Sequence, residues 1–483
     1  MSRGDSDDER QPPLTAFVNF PSPYTQTLLL RALAATLPAV NITVLPPDEK
    51  NPPRLQWADY DLMSFDKPHA DPSYLISSYI YRKALIRKHQ LHATVQEYLA
   101  KADHRGEKSV LAQPGWTIDI QFADELDELL LDDLYELAQA MQLNEGDGDE
   151  KRWFILKPGF ADRAQGIRLF STEDELRDIF EEFEPESEDE FEDAEDGEDG
   201  DDSALASSTK AVTLNGAHAH TLILQEYLPR PVLFDLLEHP GSPPRGQKFH
   251  LRAYVLVTGS YTVHLSRTML ALFSGALYAP PTSSADGEPM DLRPHLTNTC
   301  LQVSHSEDLV RLFWDLEGLT ALSSSESGYS PKGAVTREWL DATFAKVGEV
   351  VAEAVKAGVE CGSFGLQLMP NAFEIFGVDL ILSHPPSTPS PGSAFNASLP
   401  ALAVPDVTLL EFNASPDFHQ SGEVLRPRLL EMFKGVVRLS IAPFFGIEAE
   451  QGKEKVKEGP MELGEERWDW RLVGQGEVRG NWA

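Results

Sequence analysis

The chain has 483 residues, and its 41 lysines and arginines stand against 77 aspartates and glutamates, for a formal net charge of −36. So acidic a chain lacks the positive charge that nucleic-acid binding requires, and no run of 18 apolar residues predicts a membrane span. Two cysteines exclude a disulfide framework, and the polar N-terminus does not resemble a signal peptide, so we predict a cytoplasmic protein.

Composition changes along the chain and divides it into five predicted segments. These are a disordered start at 1–13, an N-terminal α/β domain at 14–68, a central domain at 69–220, a C-terminal domain at 221–447 and a polar tail at 448–483. Two Pro/Ser-rich loop insertions are predicted within the C-terminal domain, at 280–290 and 384–405. Such insertions are tolerated because the entropy of closing a loop grows slowly with its length.

The first domain alternates extended and helical patterns. LTAFVNF predicts a strand over 14–20, YTQTLLLRALAATL predicts an amphipathic helix over 24–37, and NITVLP predicts a strand over 41–46. A third strand is predicted over 58–65. Together these elements form a small α/β unit.

Two long helices are predicted next, over 73–101 and 123–141. The first carries a basic cluster that includes Arg87 and Lys88. In an acidic chain such a cluster is either a solvated helix face or a patch that faces an anion.

The insertion predicted at 181–210 is strongly acidic. Its first part, 181–202, holds 15 acids in 22 positions and no base. Such a run buries no apolar surface and repels itself, which predicts disorder. A solvated loop is the simpler interpretation, and a docking segment for a basic partner is the alternative.

A lysine and two glycines lie between two predicted strands in RWFILKPGFADRAQGIRLF, at Lys157, Gly159 and Gly166. Backbone amides of such a loop bind phosphates, and a lysine neutralises their charge. An ordinary hairpin with an exposed lysine is the alternative. The following segment, TLILQEYLPRP at 221–231, predicts a core strand.

A β-hairpin is predicted around Gly259 and Ser260, in KFHLRAYVLVTGSYTVHLSRTML. A two-residue turn there would place Arg252 directly opposite Arg267, and alternation places Lys248 and His250 on the same face as Arg252. We interpret this convergence as a site for a polyanion, with ion pairs to the protein's own acids as the alternative.

Polar residues interrupt two apolar strands near the C-terminus, at 373–382 and 407–413. If the strands pair, Asp379 faces Glu411 and Asn413. Two carboxylates and an amide oxygen are hard ligands that suit Mg²⁺ together with substrate phosphates. Solvated strand ends are the alternative.

A helix over 424–446 is predicted to complete the C-terminal domain. The tail beyond it is polar and predicted to be poorly ordered. Its Trp468 and Trp470 are the residues able to dock on the core.

The order of these motifs resembles the ATP-grasp fold, and specifically the tubulin–tyrosine ligase family. The matching stretches are WFILKP, QEYL, KFHLRAYVLV, HLTNTCLQ, FEIFGVDL and LLEFNASP, within roughly residues 14–445 apart from the insertions. The resemblance implies an α+β protein that holds a nucleotide between two mainly antiparallel sheets, beside a small N-terminal α/β domain.

The resemblance also implies a role for each matching residue. For ATP binding these are Lys157 and the loop with Gly166, a hinge at Gln225, Glu226, Tyr227 and Leu228, and Lys248 and His250 along the nucleotide. For catalysis they are Arg252 and Arg267 at the γ-phosphate. For magnesium they are Asp379, Glu411 and Asn413. For the substrate tail they are Arg87, Lys88 and Asn298.

One position departs from the family pattern K-F-D-[IL]-R, because His250 replaces the aspartate. The exchange turns an acceptor carboxylate into an imidazole. It therefore bears on the ribose contacts or on the amino acid that is added.

The resemblance implies an ATP- and Mg²⁺-dependent ligase that adds a free amino acid, tyrosine in the namesake family, to the C-terminal carboxylate of α-tubulin through an acyl phosphate. The alternatives are a ligase for glutamate or glycine and a nucleotide-binding scaffold without ligase activity.

Overall fold

The computed structural model describes residues 14–46, 48, 50, 52–111, 114–146, 151–159, 165–183, 220–237, 241–283, 290–297, 309–325, 328–361, 365–386, 401–450 and 459–476. The helices are α1 (Pro23–Thr36), α2 (Asp66–Ala70), α3 (Lys83–Ile86), α4 (Lys88–Arg105), α5 (Leu126–Leu131), α6 (Tyr135–Asn144), α7 (Glu173–Phe183), α8 (Arg337–Cys361), α9 (Arg426–Val436) and α10 (Ala442–Phe445). A π-helical turn, Val437–Ile441, joins the last two.

The strands fall into three sheets. They are β1 (Thr15–Asn19), β2 (Asn41–Thr43), β3 (Leu55–Ala58), β4 (Leu75–Ile76), β5 (Gly115–Ile120), β6 (Phe154–Pro158), β7 (Arg168–Phe170), β8 (His220–Glu226), β9 (Leu233–Phe234), β10 (Gln247–Thr258), β11 (Thr262–Leu277), β12 (Val310–Leu312), β13 (Thr320–Ser325), β14 (Gly328–Ala334), β15 (Phe373–Ser383), β16 (Asp406–Asn413), β17 (Glu466–Arg467) and β18 (Trp470–Gln475).

The N-terminal sheet is parallel and has the order β2-β1-β3-β4. The first two predicted strands and the helix between them lie where the sequence indicates. The third strand is β3 rather than 58–65, because all four residues of β3 are buried while Asp59 begins a short 3₁₀ turn. Helix α1 contacts α9, which joins this unit to the rest of the molecule.

A second, antiparallel sheet has the order β5-β8-β6-β7. Its core is formed with α5, α6 and α7. The single helix predicted over 123–141 is two helices, because the backbone at Asp132 leaves the helical region (φ −124°, ψ −91°). This sheet presents Lys157, at the end of β6, and Gln225 on β8.

The large sheet has ten strands, in the order β14-β13-β9-β10-β11-β18-β17, with β12 paired to β11 and with β15 paired to both β10 and β16. Alternating residues of β10 and β11 pack under α8 on one face. The other face packs against α1 and α9 at one end. Its remaining part carries the charged residues of the site.

The long helix predicted over 73–101 is divided into β4, α3 and α4. Leu75 and Ile76 are buried and complete the parallel sheet beside β3, so tertiary pairing overrides the local helical pattern. The basic residues Arg87 and Lys88 consequently lie at the start of α4.

The predicted polar tail is partly ordered, contrary to expectation. Residues 466–475 form β17 and β18, and β18 pairs with β11 in the large sheet. Trp470 is fully buried and its indole Nε1 donates to the Met432 carbonyl (3.0 Å). The docking tryptophan is therefore Trp470.

Several predicted segments lie wholly or mostly outside the described residues: 1–13, 181–210, and the loop insertions at 280–290 and 384–405. Within the described part of the chain, none of the helices combines the length and the hydropathy needed to cross a bilayer.

Candidate active site between two sheets

Strand β10 presents Lys248, His250 and Arg252 on one face, as alternation predicts. Lys248 is buried, and its Nζ donates to the Tyr227 hydroxyl (2.8 Å) and to the His295 carbonyl (2.9 Å). Burial, reinforced by the charge of Lys157, lowers the pKa of Lys248 to about 7. Lys248 on the large sheet and Lys157 on the four-stranded sheet therefore lie close enough to interact electrostatically.

His250 is a buried, neutral imidazole. Its Nδ1 is hydrogen bonded to Thr297 Oγ1 (2.6 Å), and its Nε2 lies 3.9 Å from Asp379 Oδ2. Within the described residues Nε2 has no hydrogen-bond partner, although His250 is only 6% exposed. Burial, with the charge of Arg252 adding to it, lowers the pKa of His250 to about 3.

Arg252 and Asp379 form a two-pronged ion pair. The strands β10 and β15 place these residues directly opposite each other, and Arg252 donates from Nε (2.5 Å) and Nη2 (2.9 Å) to the two carboxylate oxygens. Planar bidentate pairs of this kind fix the guanidinium in one orientation. Gly377 permits the approach, since a Cβ there would lie 3.1 Å from Arg252 Cδ.

Asp379 also lies directly opposite Glu411 in the pairing of β15 with β16. Asn413 Nδ2 donates to Asp379 Oδ2 (3.3 Å), and Lys88 Nζ lies 3.6 Å from Glu411 Oε2. The long hairpin predicted from the sequence therefore forms and brings Asp379, Glu411 and Asn413 together.

The donor chemistry of these three side chains fits a magnesium ion. Two carboxylates that face each other repel unless a cation balances them, and here Arg252 and Lys88 do so. Among the described residues, no group of three or more His, Cys, Asp or Glu side chains is placed to hold a metal. Magnesium would therefore depend on the two carboxylates, the amide and substrate oxygens.

Lys157 lies at the end of β6 and donates to Gln225 Oε1 (2.8 Å). Gln225 in turn donates from Nε2 to His92 Nδ1 (3.3 Å) on α4. Burial lowers the pKa of Lys157 to about 8, against the opposing charge of Glu411. Lys157 on the four-stranded sheet therefore lies close enough to Glu411 on the large sheet to interact electrostatically.

The predicted hinge, 225–228, leads from the four-stranded sheet toward the large one. The Tyr227 amide donates to the Trp153 carbonyl (2.7 Å), and Glu226 is held by Arg152 Nε and Nη2 (3.2 and 3.0 Å). Leu228 is half-buried just after β8. The expected contact of this segment with adenine stays a prediction.

Arg267 does not face Arg252, and this corrects the predicted register. The loop at Gly259 has three residues, so that Thr258 pairs with Thr262, and an irregularity in β11 brings Leu270 opposite Arg252. The Arg267 guanidinium is partly exposed and lies over the rings of Trp314 (4.7 Å) and Phe344 (4.3 Å), beside α8.

Ion pairs with Asp341 Oδ1 (3.0 Å) and Glu466 hold Arg267 in that place. Arg267 therefore pairs with the protein's own acids, which was the alternative interpretation of this hairpin. The geometry gives no support to Arg267 as a residue of the candidate site.

Other predicted positions lie at the border of the described structure. Gly166 has φ +68°, a conformation that favours glycine, and follows the undescribed residues 160–164. Asn298 lies outside the described residues. Arg87 directly precedes α4, which starts at Lys88, so the basic cluster borders Glu411 through Lys88.

The sequence analysis missed three residues that shape the site: His92, Thr297 and Gly377. Nothing in the sequence distinguishes His92, since a histidine on a long helix is common. Gly377, in contrast, interrupts an apolar strand, and an isolated strand glycine signals close approach of another group.

Comparison with known proteins adds three findings. The family model described as tubulin-tyrosine ligase family matches residues 77–448. A probable tubulin–tyrosine ligase of Schizosaccharomyces pombe is 33% identical over 437 residues, which are 89% of this chain and 92% of that protein. The probable tubulin–tyrosine ligase PBY1 of Saccharomyces cerevisiae is 32% identical over 435 residues, 88% of this chain and 51% of that protein.

Among solved structures, the C-terminal domain of Pby1 from K. lactis is similar to this chain. It is described as an ATP-grasp enzyme that interacts with the mRNA decapping enzyme Dcp2. The match has a TM-score of 0.57 and 26% sequence identity, and it covers 92% of this chain and 100% of that one.

Proposed function

The chain belongs to the tubulin–tyrosine ligase family and has the ATP-grasp fold, as its sequence predicts, and from this premise we propose that it joins a free amino acid to the C-terminal carboxylate of a protein. Family and fold support an ATP-dependent carboxylate–amine ligase in general. The observation that carries the proposal is the placement of Arg252 on Asp379, which faces Glu411, with Lys157 near enough to feel the charge of Glu411 and with Lys248 near Lys157.

The cations of the site would act on the phosphates. Lys157 and Lys248 approach from two different sheets, so a polyphosphate between the sheets would be neutralised from both sides. Arg252 is oriented by its ion pair with Asp379 and would stabilise the negative charge that spreads over the transferred phosphoryl group. Positioning and electrostatic stabilisation supply most of the catalysis of phosphoryl transfer.

Asp379, Glu411 and Asn413 would hold magnesium, whose charge supplies further neutralisation of the phosphates when it is bound. Glu411 has the longest side-chain contact of the three residues, since Lys88 Nζ lies 3.6 Å from its Oε2. Asp379 is already engaged by Arg252, so one carboxylate would serve both the arginine and the metal.

In the proposed reaction, the γ-phosphoryl group of ATP moves to an oxygen of the acceptor carboxylate and ADP leaves. The amine of the amino acid then attacks the carbonyl carbon, loses a proton and expels phosphate, so that an amide bond forms. The names of the two relatives, both probable tubulin–tyrosine ligases, support tyrosine as the amino acid and tubulin as the acceptor. The cytoplasm is the expected location for this activity.

Two alternative functions are compatible with the same fold. A ligase that adds glutamate or glycine is the first alternative, since His250 stands where the family pattern has an aspartate and the exchange bears on the amino acid that is added. The description of the K. lactis relative supports a second function, in which this chain binds an mRNA decapping enzyme.

The proposal is tested by ADP release from purified protein with Mg²⁺–ATP and each amino acid in turn, with and without detyrosinated tubulin. We expect release that depends on tyrosine and tubulin. Arg252→Lys keeps the charge but loses the two-pronged pair, so we expect it to fail, while Arg337→Lys on the surface of α8 is the matched control. If none of the amino acids in the panel supports ADP release, ligation is rejected.

A further inference from the structure

A cavity of about 310 Å³ lies between the N-terminal α/β unit and the end of the large sheet. Its volume is at the lower end of the range of small-molecule sites, roughly 300–1,000 Å³, which suits a molecule as small as a single amino acid. Six aromatic rings contribute to its wall: Phe20, Trp57, Tyr60, Phe373, Phe418 and Phe433. The size and the aromatic wall of the cavity therefore suit a small apolar ligand or side chain.

Arg82 and Glu374 form the polar part of this wall. Arg82 Nε lies 3.0 Å from Glu374 Oε1, Nη1 donates to the Tyr79 carbonyl (3.3 Å), and the guanidinium lies 3.9 Å over the Tyr60 ring. Glu374 also accepts from the Tyr79 amide (3.0 Å). A guanidinium has five N–H donors, and these contacts do not use all of them, so Arg82 retains donors for a carboxylate.

Two more carboxylates, Asp59 and Asp417, line the cavity. These two alone, without Glu374, outnumber the single guanidinium of Arg82 within this lining. Clefts lined by one sign of charge concentrate ligands of the opposite sign. The cavity therefore favours a ligand with an ammonium group, and it disfavours an acidic peptide such as the expected acceptor tail.

The cavity adjoins the candidate active site. Its lining residues Ala414 to Asp417 directly follow Asn413 at the end of β16. A Cβ at Gly377 would lie 2.9 Å from Pro416 Cβ and 3.1 Å from Arg252 Cδ, so the cavity wall and the reactive arginine meet at this glycine. A ligand in the cavity would thus be adjacent to the phosphate-binding residues.

We propose that this cavity binds the amine co-substrate, as a free amino acid with an aromatic or large apolar side chain. Its side chain packs among the rings, its carboxylate pairs with Arg82, and its ammonium faces Asp59 and Asp417. This inference rests on the proposed ligase function, and it places the amine in the cavity while the basic residues at the start of α4 remain available to the acidic acceptor. It predicts selection against glutamate by charge and against glycine by the unfilled apolar volume.

Binding is measured by calorimetry on the full chain, with and without a non-hydrolysable ATP analogue, using tyrosine, phenylalanine, glutamate and glycine as probes. We expect tyrosine or phenylalanine to bind and the other two to bind at least about tenfold more weakly, glutamate because its side-chain carboxylate meets the carboxylates of the lining and glycine because it leaves the apolar volume unfilled. Equal binding of all four, or binding of none in either condition, would overturn the proposal.

Asp59→Asn tests the place of binding. Asparagine caps a helical turn as well as aspartate does, so the fold is retained while the charge is lost. We expect about tenfold weaker binding of the amino acid. Asp61→Asn removes the same charge from an exposed residue outside the lining and should bind normally. If Asp59→Asn and Asp61→Asn bind the amino acid with equal affinity, the amino acid does not bind beside Asp59.

Ser415→Trp tests the cavity by filling it at an exposed lining position. We expect it to abolish amino-acid binding while Mg²⁺–ATP binding, measured separately, is unchanged. Val424→Trp adds the same ring at an 85% exposed position outside the lining and is the control.

If Asp59→Asn weakens amino-acid binding but no ADP is released, the cavity is confirmed as the amino-acid site and ligation is rejected. If ADP is released and neither Asp59→Asn nor Ser415→Trp changes amino-acid binding, the cavity assignment is wrong and the ligase proposal stands.

Discussion

At the scale of single residues, the site is a balance of opposite charges. Arg252 is held by Asp379, Lys88 lies beside the partly exposed Glu411, and the charge of Glu411 acts on Lys157 from another sheet. A buried charge without a partner is costly, so the largely buried Arg252 and Asp379 depend on each other. Alternation along β10 and the polar ends of two apolar strands could be read from the sequence, but the pairing of Arg252 with Asp379 could not.

Glu411→Gln removes one of the two facing carboxylates and keeps the side-chain shape. We expect magnesium-dependent ADP release to fall by more than about 100-fold, the upper end of what an outer-shell partner of a metal costs. Thermal unfolding should be unchanged. The surface variant Glu423→Gln is the control, and full activity of Glu411→Gln would contradict the assignment of the metal ligands.

Lys157 predicts how nucleotide affinity depends on pH. Its pKa of about 8 means that the ammonium is present below pH 8 and lost above it, so affinity for an ATP analogue should fall as the pH is raised from about 7 to about 9. Lys157→Arg stays charged throughout and should show a shallower decline in calorimetric titrations. Identical slopes for the two proteins would exclude Lys157 as the titrating group.

At the scale of elements, strand register decided which residues share the site. The sequence predicted a hairpin at Gly259, and β10 and β11 do pair there. The loop is longer by one residue and β11 is irregular, which places Leu270 opposite Arg252 and leaves Arg267 beside α8. Register depends on bulges, and these follow from packing on both faces of a sheet rather than from the turn residues alone.

The C-terminal hairpin formed by β17 and β18 is a structural part of the large sheet. Trp470→Ala should lower the free energy of unfolding by about 3–5 kcal/mol, because it removes a fully buried ring. Denaturant unfolding measures the loss. Leu463→Ala, at a 65% exposed position in the same tail, should change the value by less than about 0.5 kcal/mol. Similar effects of the two variants would show that the tail is not docked in solution.

At the scale of the whole molecule, contacts between distant parts of the chain assemble the sites. Arg82, just before α3, pairs with Glu374 on β15, and the cavity beside this pair is lined by both the N-terminal unit and the large sheet. Helix α1 packs on α9 in the same region. The N-terminal unit therefore completes the molecule on the side where we place the amine co-substrate.

Glu374 predicts how the stability of this assembly depends on pH. Burial raises the pKa of Glu374 to about 7 from 4.5, although Arg82 opposes the shift. Between these two values the unfolded chain is ionised while the folded chain keeps the proton, so wild type should lose stability relative to Glu374→Gln as the pH rises through this window. The difference in thermal midpoint between the two proteins measures it. A constant difference would mean that Glu374 is ionised throughout.

Residue patterns were enough to predict the class of fold, the N-terminal α/β unit, the shared face of Lys248, His250 and Arg252, and the meeting of Asp379 with Glu411. Alternation in strands and the pairing of two apolar strands in a hairpin can be read from residue types. The packing of the whole chain set the place of Arg267, the division of the helix predicted over 73–101, the choice of Trp470 over Trp468 and the cavity at Arg82. Each of these depends on which surfaces are buried together, and burial joins residues that no local pattern relates.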